Sequence, residues 1–262
     1  MSPQVQTKAK AKTKAAAKTK TKTKTKKAAP KAAKSFRPKL ATRDEAREAL
    51  AGLRKLHPDA HCELDHQTPF QLLVATVLSA QTTDVAVNKL TPGLFAKYPT
   101  ARALAVASPG DIERLIDTIG MFRQKSKNVI GLAQALVAQH GGEVPRDMNA
   151  LVALPGVGRK TANVVLGVIW GTPEGVVVDT HVQRLSQRLG WTRESDPKDI
   201  EVELCKLLPK DAWDITSHTL IFHGRRICFA QKPQCDTCGI ASMCPSAGRA
   251  ELVGRKPPRA PR

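Results

Sequence analysis

The stretch Leu154-Pro155-Gly156-Val157-Gly158-Arg159-Lys160-Thr161-Ala162 constrains this chain more than any other. Upstream, Met148 to Leu154 carries apolar residues at helical spacing, and downstream Lys160 to Trp170 is a mostly apolar run of helical length. Proline stops the first helix, and Gly156 and Gly158 let the chain reverse through conformations that side chains forbid. The expected product is a helix, a hairpin and a second helix whose turn presents consecutive backbone N–H groups. Such a turn suits a phosphate oxygen. Lys160 falls on the first turn of the second helix, where the positive end of the helix dipole favours a neutral amine. A neutral amine attacks carbonyl-like carbons, so Lys160 is a candidate Schiff-base nucleophile; the plainer role is a phosphate contact.

The rest of the chain reads as all-α. Ala46, Leu50, Leu53 and Leu56 form an apolar stripe ending near Pro58, and 69–80 reads as a buried helix opened by proline. Thr83 or Asp84 caps the next helix, to Leu94, and Ser108-Pro109-Gly110 starts another. Lys125 to His140 is an amphipathic helix closed by Gly141-Gly142. Helices are expected from Asp179 through Leu189, from Asp196-Pro197, and from Asp211 to Phe222. No sustained alternating strand interrupts this pattern.

The formal charge of +19 is unevenly placed. Residues 1–40 contribute +14, residues 246–262 contribute +4, and 41–245 are close to neutral at +1. Residues 1–34 are a Lys/Thr/Ala/Pro arm that cannot build a core and is expected to be disordered. The arm is either a salt-sensitive DNA-binding tail or a solubility tail. No apolar run approaches the ~20 residues that span a bilayer, and the N-terminus has no secretory h-region. Six cysteines in a chain of this size do not make a disulfide scaffold, and a reducing compartment fits best.

Asp179 is the best carboxylate partner for Lys160. The helix from Lys160 to Trp170 carries the chain about 15 Å away, and the steps from Gly171 to Asp179 can return roughly 26 Å when extended. The competing role for Asp179 is a helix N-cap, and the two can coexist. Cys228, Cys235, Cys238 and Cys244 suit one four-sulfur site, zinc or iron–sulfur; with a single C-x-x-C pair, the spacing leans to iron–sulfur. Cys62 and Cys205 stand apart as core thiols. Lys232, in the loop between the first two ligands, offers a cation to a phosphate, and Arg225 and Arg226 upstream are positioned to add to that face. Extruding a base from a duplex leaves a hole to be filled. Gln81 and the segment Ile119-Gly120-Met121-Phe122 have the residue types for that task, although such residues are more often core or loop. His181, His218 and His223 read as structural.

Together these stretches resemble the endonuclease III family, in the helix–hairpin–helix superfamily of DNA glycosylases. The resemblance spans about 41–245 and rests on Leu78-Ser-Ala-Gln-Thr-Thr-Asp84, Gly142-Glu-Val-Pro145, Leu154 to Val165, Val178-Asp-Thr-His-Val182, His223-Gly224 and the cysteine spacing. It implies a bilobal all-α fold with a six-helix barrel domain at 62–173. A second domain, of 41–61 and 174–246, would hold a [4Fe-4S] cluster on the four cysteines, with a basic tail at 247–262. Lys160 is then the nucleophile and Asp179 its carboxylate partner. The implied DNA contacts are Gln81, Met121, Gly156, Gly158, Arg159, Thr161, His181, Arg184 and Lys232, with Gln81 filling the gap and Met121 as a neighbouring wedge. The implied activity is a bifunctional DNA glycosylase and abasic-site lyase of base excision repair. It would be a monomer acting on oxidised pyrimidines or abasic sites in double-stranded DNA, cytoplasmic and nucleoid-associated, or nuclear in a eukaryote. Many members have Leu-Tyr where this chain has Met121-Phe122, so lesion range is where it is expected to depart. To be neutral near pH 7, Lys160 must fall a few units below ~10.4; the helix terminus, partial burial and a cation such as Arg159 are the available causes. The alternatives are a monofunctional glycosylase, a DNA-binding iron–sulfur protein without activity, and a Mg²⁺-dependent hydrolase.

Overall fold

Local signals set the helix starts. In the computed structural model, which describes residues 36–253, Thr42 opens α1 (Arg43–Leu56) with a reciprocal capping box. Its hydroxyl accepts the Glu45 N–H at 3.2 Å, and the Glu45 carboxylate accepts the Thr42 N–H at 2.7 Å. Thr68, Thr83, Thr100 and Ser108 accept in the same manner at the starts of α2 (Pro69–Leu78), α3 (Asp84–Lys97), α4 (Ala101–Ala105) and α5 (Pro109–Ile116). Then come α6 (Phe122–His140), α7 (Met148–Val152) capped by Asp147, and α8 (Arg159–Trp170). The chain closes with α9 (Thr180–Arg188), α10 (Pro197–Leu207) and α11 (Trp213–Arg226), followed by short 3₁₀ turns. The described residues contain no strand, and no helix among them is long and apolar enough to cross a membrane. The all-α expectation holds. The basic arm at 1–34 and most of the basic C-terminal tail lie outside the described residues.

Three boundaries differ from the sequence reading. Helix α6 begins at Phe122, three residues before Lys125, because Met121 turns left-handed and launches the helix early. The last helix starts at Trp213 after a 3₁₀ turn and runs on to Arg226, which buries His223 inside it. The five-residue α4 is too short to show periodicity in the sequence.

The apolar residues collect into two clusters. One gathers α2 to α8 around Leu72, Leu73, Ile116, Leu132 and Leu136, all fully buried. The other joins α1 to α9, α10 and α11 through Leu53, Val182, Ile200, Leu204 and Leu220. Each fully buried leucine or isoleucine contributes about 1.5–3 kcal/mol relative to exposure, so these two clusters dominate stability. The chain passes between them twice, just after α1 and again through Gly171–Val176, and the clefts and loops of interest lie at those crossings. Ser217 on α11 steadies the second crossing by accepting the Val177 N–H at 3.0 Å.

The segment before α1 is strapped to the end of α9. Ala41 donates its N–H to the Gly190 carbonyl at 2.8 Å, and Gly190 itself takes φ +68°. A Cβ at Gly190 would overlap the Lys39 carbonyl. Gly190→Ala therefore combines left-handed strain with a backbone clash and should destabilise by about 2–4 kcal/mol, read as a lower urea midpoint at unchanged slope.

Candidate active site

The hairpin between α7 and α8 forms as the sequence suggests. Gly156 adopts φ +77°, and a Cβ there would press on the Asn128 side chain of α6, so only glycine fits the turn. The Val157 N–H is turned inward to the Leu154 carbonyl at 3.1 Å, so it is not part of any outward-facing set. Gly158 caps α8 with no side-chain hydrogen bond. The first-turn N–H groups of Arg159, Lys160 and Thr161 therefore point out of the helix end without an internal acceptor, as an anion site requires.

Lys160 and Asp179 line one open cleft, together with Gln81, Asp84, Thr161, Asp214 and His218. The return of the chain through Val176–Val178, buried and held by Ser217, brings Asp179 back to the α8 N-terminus. Asp179 is also the N-cap of α9. A single oxygen, Oδ1, accepts both the His181 and Val182 N–H groups at 2.8 Å each. The second carboxylate oxygen is thus left over, and capping and a role at the cleft are compatible. Lys160 is exposed, so the partial burial expected for it is not found. Arg159 is not the expected cationic neighbour either: its guanidinium is committed to Glu201 on α10 at 3.0 Å and to the Glu174 carbonyl at 3.3 Å.

The cleft is rich in carboxylates. Burial and the Asp179 charge push Asp84 above the usual carboxylate range, against the opposing pull of Lys160 and His218. Arg225 reaches Asp84 at 2.9 Å and also pairs with Glu63, so its charge is shared between two acids. Arg226 is bonded to both oxygens of Asp59 at 3.0 and 2.8 Å and stacks over Phe222. Neither arginine offers the free cation that the sequence suggested for the DNA face. His218 stands 3.6 Å from Asp214. Cys62 lines the same cleft, and burial pushes its thiol up to about 11, which keeps it protonated and unreactive. Cys205 packs against the second cluster.

Three non-glycine residues in the described chain have positive φ: Gln81 at 54°, Met121 at 57° and Lys232 at 51°. All three are among the DNA contacts suggested by the sequence, and all three are exposed. Left-handed backbone at such residues costs about 1–3 kcal/mol each and persists where function or surrounding structure demands it. Lys232 is held in that shape by its N–H, which donates to the Glu251 carboxylate. His181 and Arg184 face inward: Arg184 donates to the Gly224 and Cys228 carbonyls at 3.1 and 3.2 Å and meets His181 Nδ1 at 3.1 Å.

Cys228, Cys235, Cys238 and Cys244 line one small apolar hollow beside Leu185, Arg188 and His223. Burial, then the charges of the other three, push Cys244 up to about 11, so the four thiols resist ionising together unless a positive centre joins them. No three His, Cys, Asp or Glu side chains among the described residues are gathered to grip a single metal ion. A donor set of four sulfurs around an apolar hollow suits an iron–sulfur cluster. Arg188 buttresses that wall. Its Nη1 lies 3.2 Å from the Cys228 sulfur and 2.7 Å from the Phe229 carbonyl, and its Nη2 is 3.0 Å from the Ala230 carbonyl. The guanidinium is buried and no sequence pattern announced it, since its partners lie about forty residues on.

The site thus defines a class: a helix–hairpin–helix protein with a lysine and a carboxylate at a cleft and a four-cysteine loop. Residues 74–210, more than half of the chain, match the HhH-GPD superfamily of base excision DNA repair proteins. Endonuclease III of Synechocystis is 53% identical over 210 residues, covering 80% of this chain and 96% of that one. The Escherichia coli K12 enzyme is 42% identical over 75% of this chain and 93% of its own. A solved endonuclease III–DNA covalent intermediate superposes with TM-score 0.75 at 45% identity, over 80% of this chain and 99% of that one. A thermostable thymine-DNA glycosylase superposes with TM-score 0.67 at 25% identity over 76% of this chain and 94% of that one.

The chain belongs to the endonuclease III family of that superfamily. It is a DNA repair enzyme, a DNA glycosylase and abasic-site lyase. Removing the Arg188 guanidinium leaves the Phe229 and Ala230 carbonyls without their donor, so Arg188→Ala should lower the unfolding free energy by about 2 kcal/mol in urea titration.

Proposed function

We propose that this enzyme removes oxidised pyrimidines of the thymine glycol type from duplex DNA and then cleaves the strand 3′ to the lesion. The observation that carries the reading is the convergence of Lys160, the unspent oxygen of Asp179 and the left-handed Gln81 on one cleft. The open α8 N-terminus binds a phosphate through its free N–H groups, with Gly156 and Gly158 allowing the backbone to approach and Thr161 beside it. Gln81 and Met121 enter the duplex where the target nucleotide leaves the stack, and Lys232 contacts the backbone.

The neutral Lys160 amine attacks C1′ and forms a C–N bond as the C1′–base bond breaks, and the base departs with that electron pair. Asp179 takes the proton lost by the amine; the nitrogen lone pair then forms the C1′=N bond as the C1′–O4′ bond breaks, O4′ takes that proton as the sugar ring opens, and Asp179 stabilises the positive iminium. The iminium makes the C2′ proton acidic. Its removal places the electron pair in a C1′=C2′ enamine, whose collapse restores the C1′=N iminium, forms a conjugated C2′=C3′ double bond and expels the 3′ phosphate, and water then hydrolyses the iminium to release the lysine. Four carboxylates around the cleft, Glu63, Asp84, Asp179 and Asp214, favour that cation.

Cys228, Cys235, Cys238 and Cys244 would hold a [4Fe-4S] cluster, which supplies a covalent tie between α11 and the loop carrying Lys232. Lobe boundaries near 62 and 173 follow the two apolar clusters, and the enzyme acts as a monomer where DNA is housed.

Borohydride trapping with EDTA present tests the chemistry, on duplexes carrying thymine glycol, uracil or an abasic site. Wild type should give a covalent adduct with thymine glycol and the abasic site, and Lys160→Ala should give none. A wild-type protein that binds these duplexes yet forms no adduct overturns the lyase mechanism. Purified protein should contain iron and acid-labile sulfide in equal amounts, and Cys235→Ser should lower both together; iron-free protein with bound zinc would refute the cluster.

A further inference from the structure

Lys125 has no part in the chemistry above, yet it is placed unusually. It sits in the first turn of α6 and is only 3% exposed. No carboxylate among the described residues pairs with it, and burial depresses its pKa. The positive end of the α6 dipole adds to the cost of a cation there. Burying an ammonium without a counter-ion costs free energy that a single hydrogen bond only partly offsets.

What it touches suggests the reason. Its Nζ donates to the Thr82 hydroxyl at 2.6 Å. That hydroxyl turns its own proton toward the Ala80 carbonyl at 3.5 Å, while the Thr82 N–H closes the turn onto the Ser79 carbonyl at 2.9 Å. These bonds enclose Gln81 and brace its left-handed backbone. The same lysine donates its backbone N–H to the Met121 carbonyl at 3.0 Å, where the chain is left-handed again. One residue therefore holds the Gln81 corner by its side chain and the Met121 corner by its backbone. The Thr82 link crosses a sequence separation of 43 residues, and it is the hydrogen bond that joins the two corners.

We propose that Lys125 is a positioning residue that locks the Gln81 and Met121 corners into one rigid wedge, setting how well the enzyme opens a base-paired target. The inference rests on the wedge reading of those two residues. A loosened wedge impairs extrusion from a duplex but leaves untouched any substrate that needs no extrusion.

The test uses the full-length enzyme as wild type, Lys125→Met, Thr82→Val and Gln81→Ala. Two substrates are compared, a duplex with thymine glycol and a single strand with an abasic site. The fluorescence of 2-aminopurine opposite a non-cleavable abasic analogue in a duplex reports unstacking. Lys125→Met and Thr82→Val should each lower duplex kcat/KM about tenfold or more, as small misplacements of positioned groups do. Both should weaken the fluorescence rise, while abasic single-strand cleavage stays within about twofold of wild type. The thermal midpoint of Lys125→Met should not fall, because an unpaired buried charge has been removed. Lys125→Met with unchanged duplex activity and fluorescence overturns the proposal. So does an equal loss on both substrates, which marks a purely structural role. Should Lys125→Met fail to fold, Thr82→Val carries the same test with the lysine in place. A Gln81→Ala enzyme with a full fluorescence rise refutes the wedge reading itself, which separates that failure from failure of the lock.

Discussion

The Asp179 carboxylate is the joint on which the cleft depends. One of its oxygens gathers two N–H groups and starts α9, and the position of α9 in turn fixes Arg184 and Arg188 against the cysteine loop. The cap is held in place from behind by three buried valines and by Ser217 on α11. A carboxylate fixed this firmly cannot swing away from the α8 N-terminus. The bond that begins a helix therefore also sets where a charge stands relative to Lys160, and that placement is inherited from secondary structure rather than from a mobile side chain.

Around this joint, the two apolar clusters are tied by polar contacts. Arg225 on α11 reaches Glu63 and Asp84 beside the first cluster, while Arg226 grips Asp59 in the crossing segment. Beneath them His57 and His223 share a buried hydrogen bond of 2.9 Å, and burial with the neighbouring imidazole pushes His223 down to about 4. The pair is neutral at physiological pH and does not repel itself. These links are specific in direction and geometry, so they fix the relative orientation of the cleft walls in a way that apolar packing alone does not.

Much of this was legible in the sequence because it is local. Thr83, Ser108 and Asp196 announce helix starts through bonds made within three residues, and the glycines of the hairpin dictate its turn. Chain length alone permits Asp179 to return to Lys160, and its position before a helix announces the cap. What escaped depends on distant partners. Arg159, Arg225 and Arg226 look like surface cations in sequence, yet their carboxylates lie 42, 141 and 167 positions away. Lys125 reads as the polar face of an amphipathic helix until the fold brings Thr82 over it. The left-handed backbones of Gln81, Met121 and Lys232 carry no signature, since none is glycine, asparagine or aspartate.

The charge of the cleft has a consequence of its own. Its rim holds four carboxylates against Lys160 and Arg225, and Arg225 is already taken by two of them. Such a lining acts as an electrostatic sieve. It opposes an anion in the interior, while the uncapped end of α8 presents the opposite partial charge at the mouth.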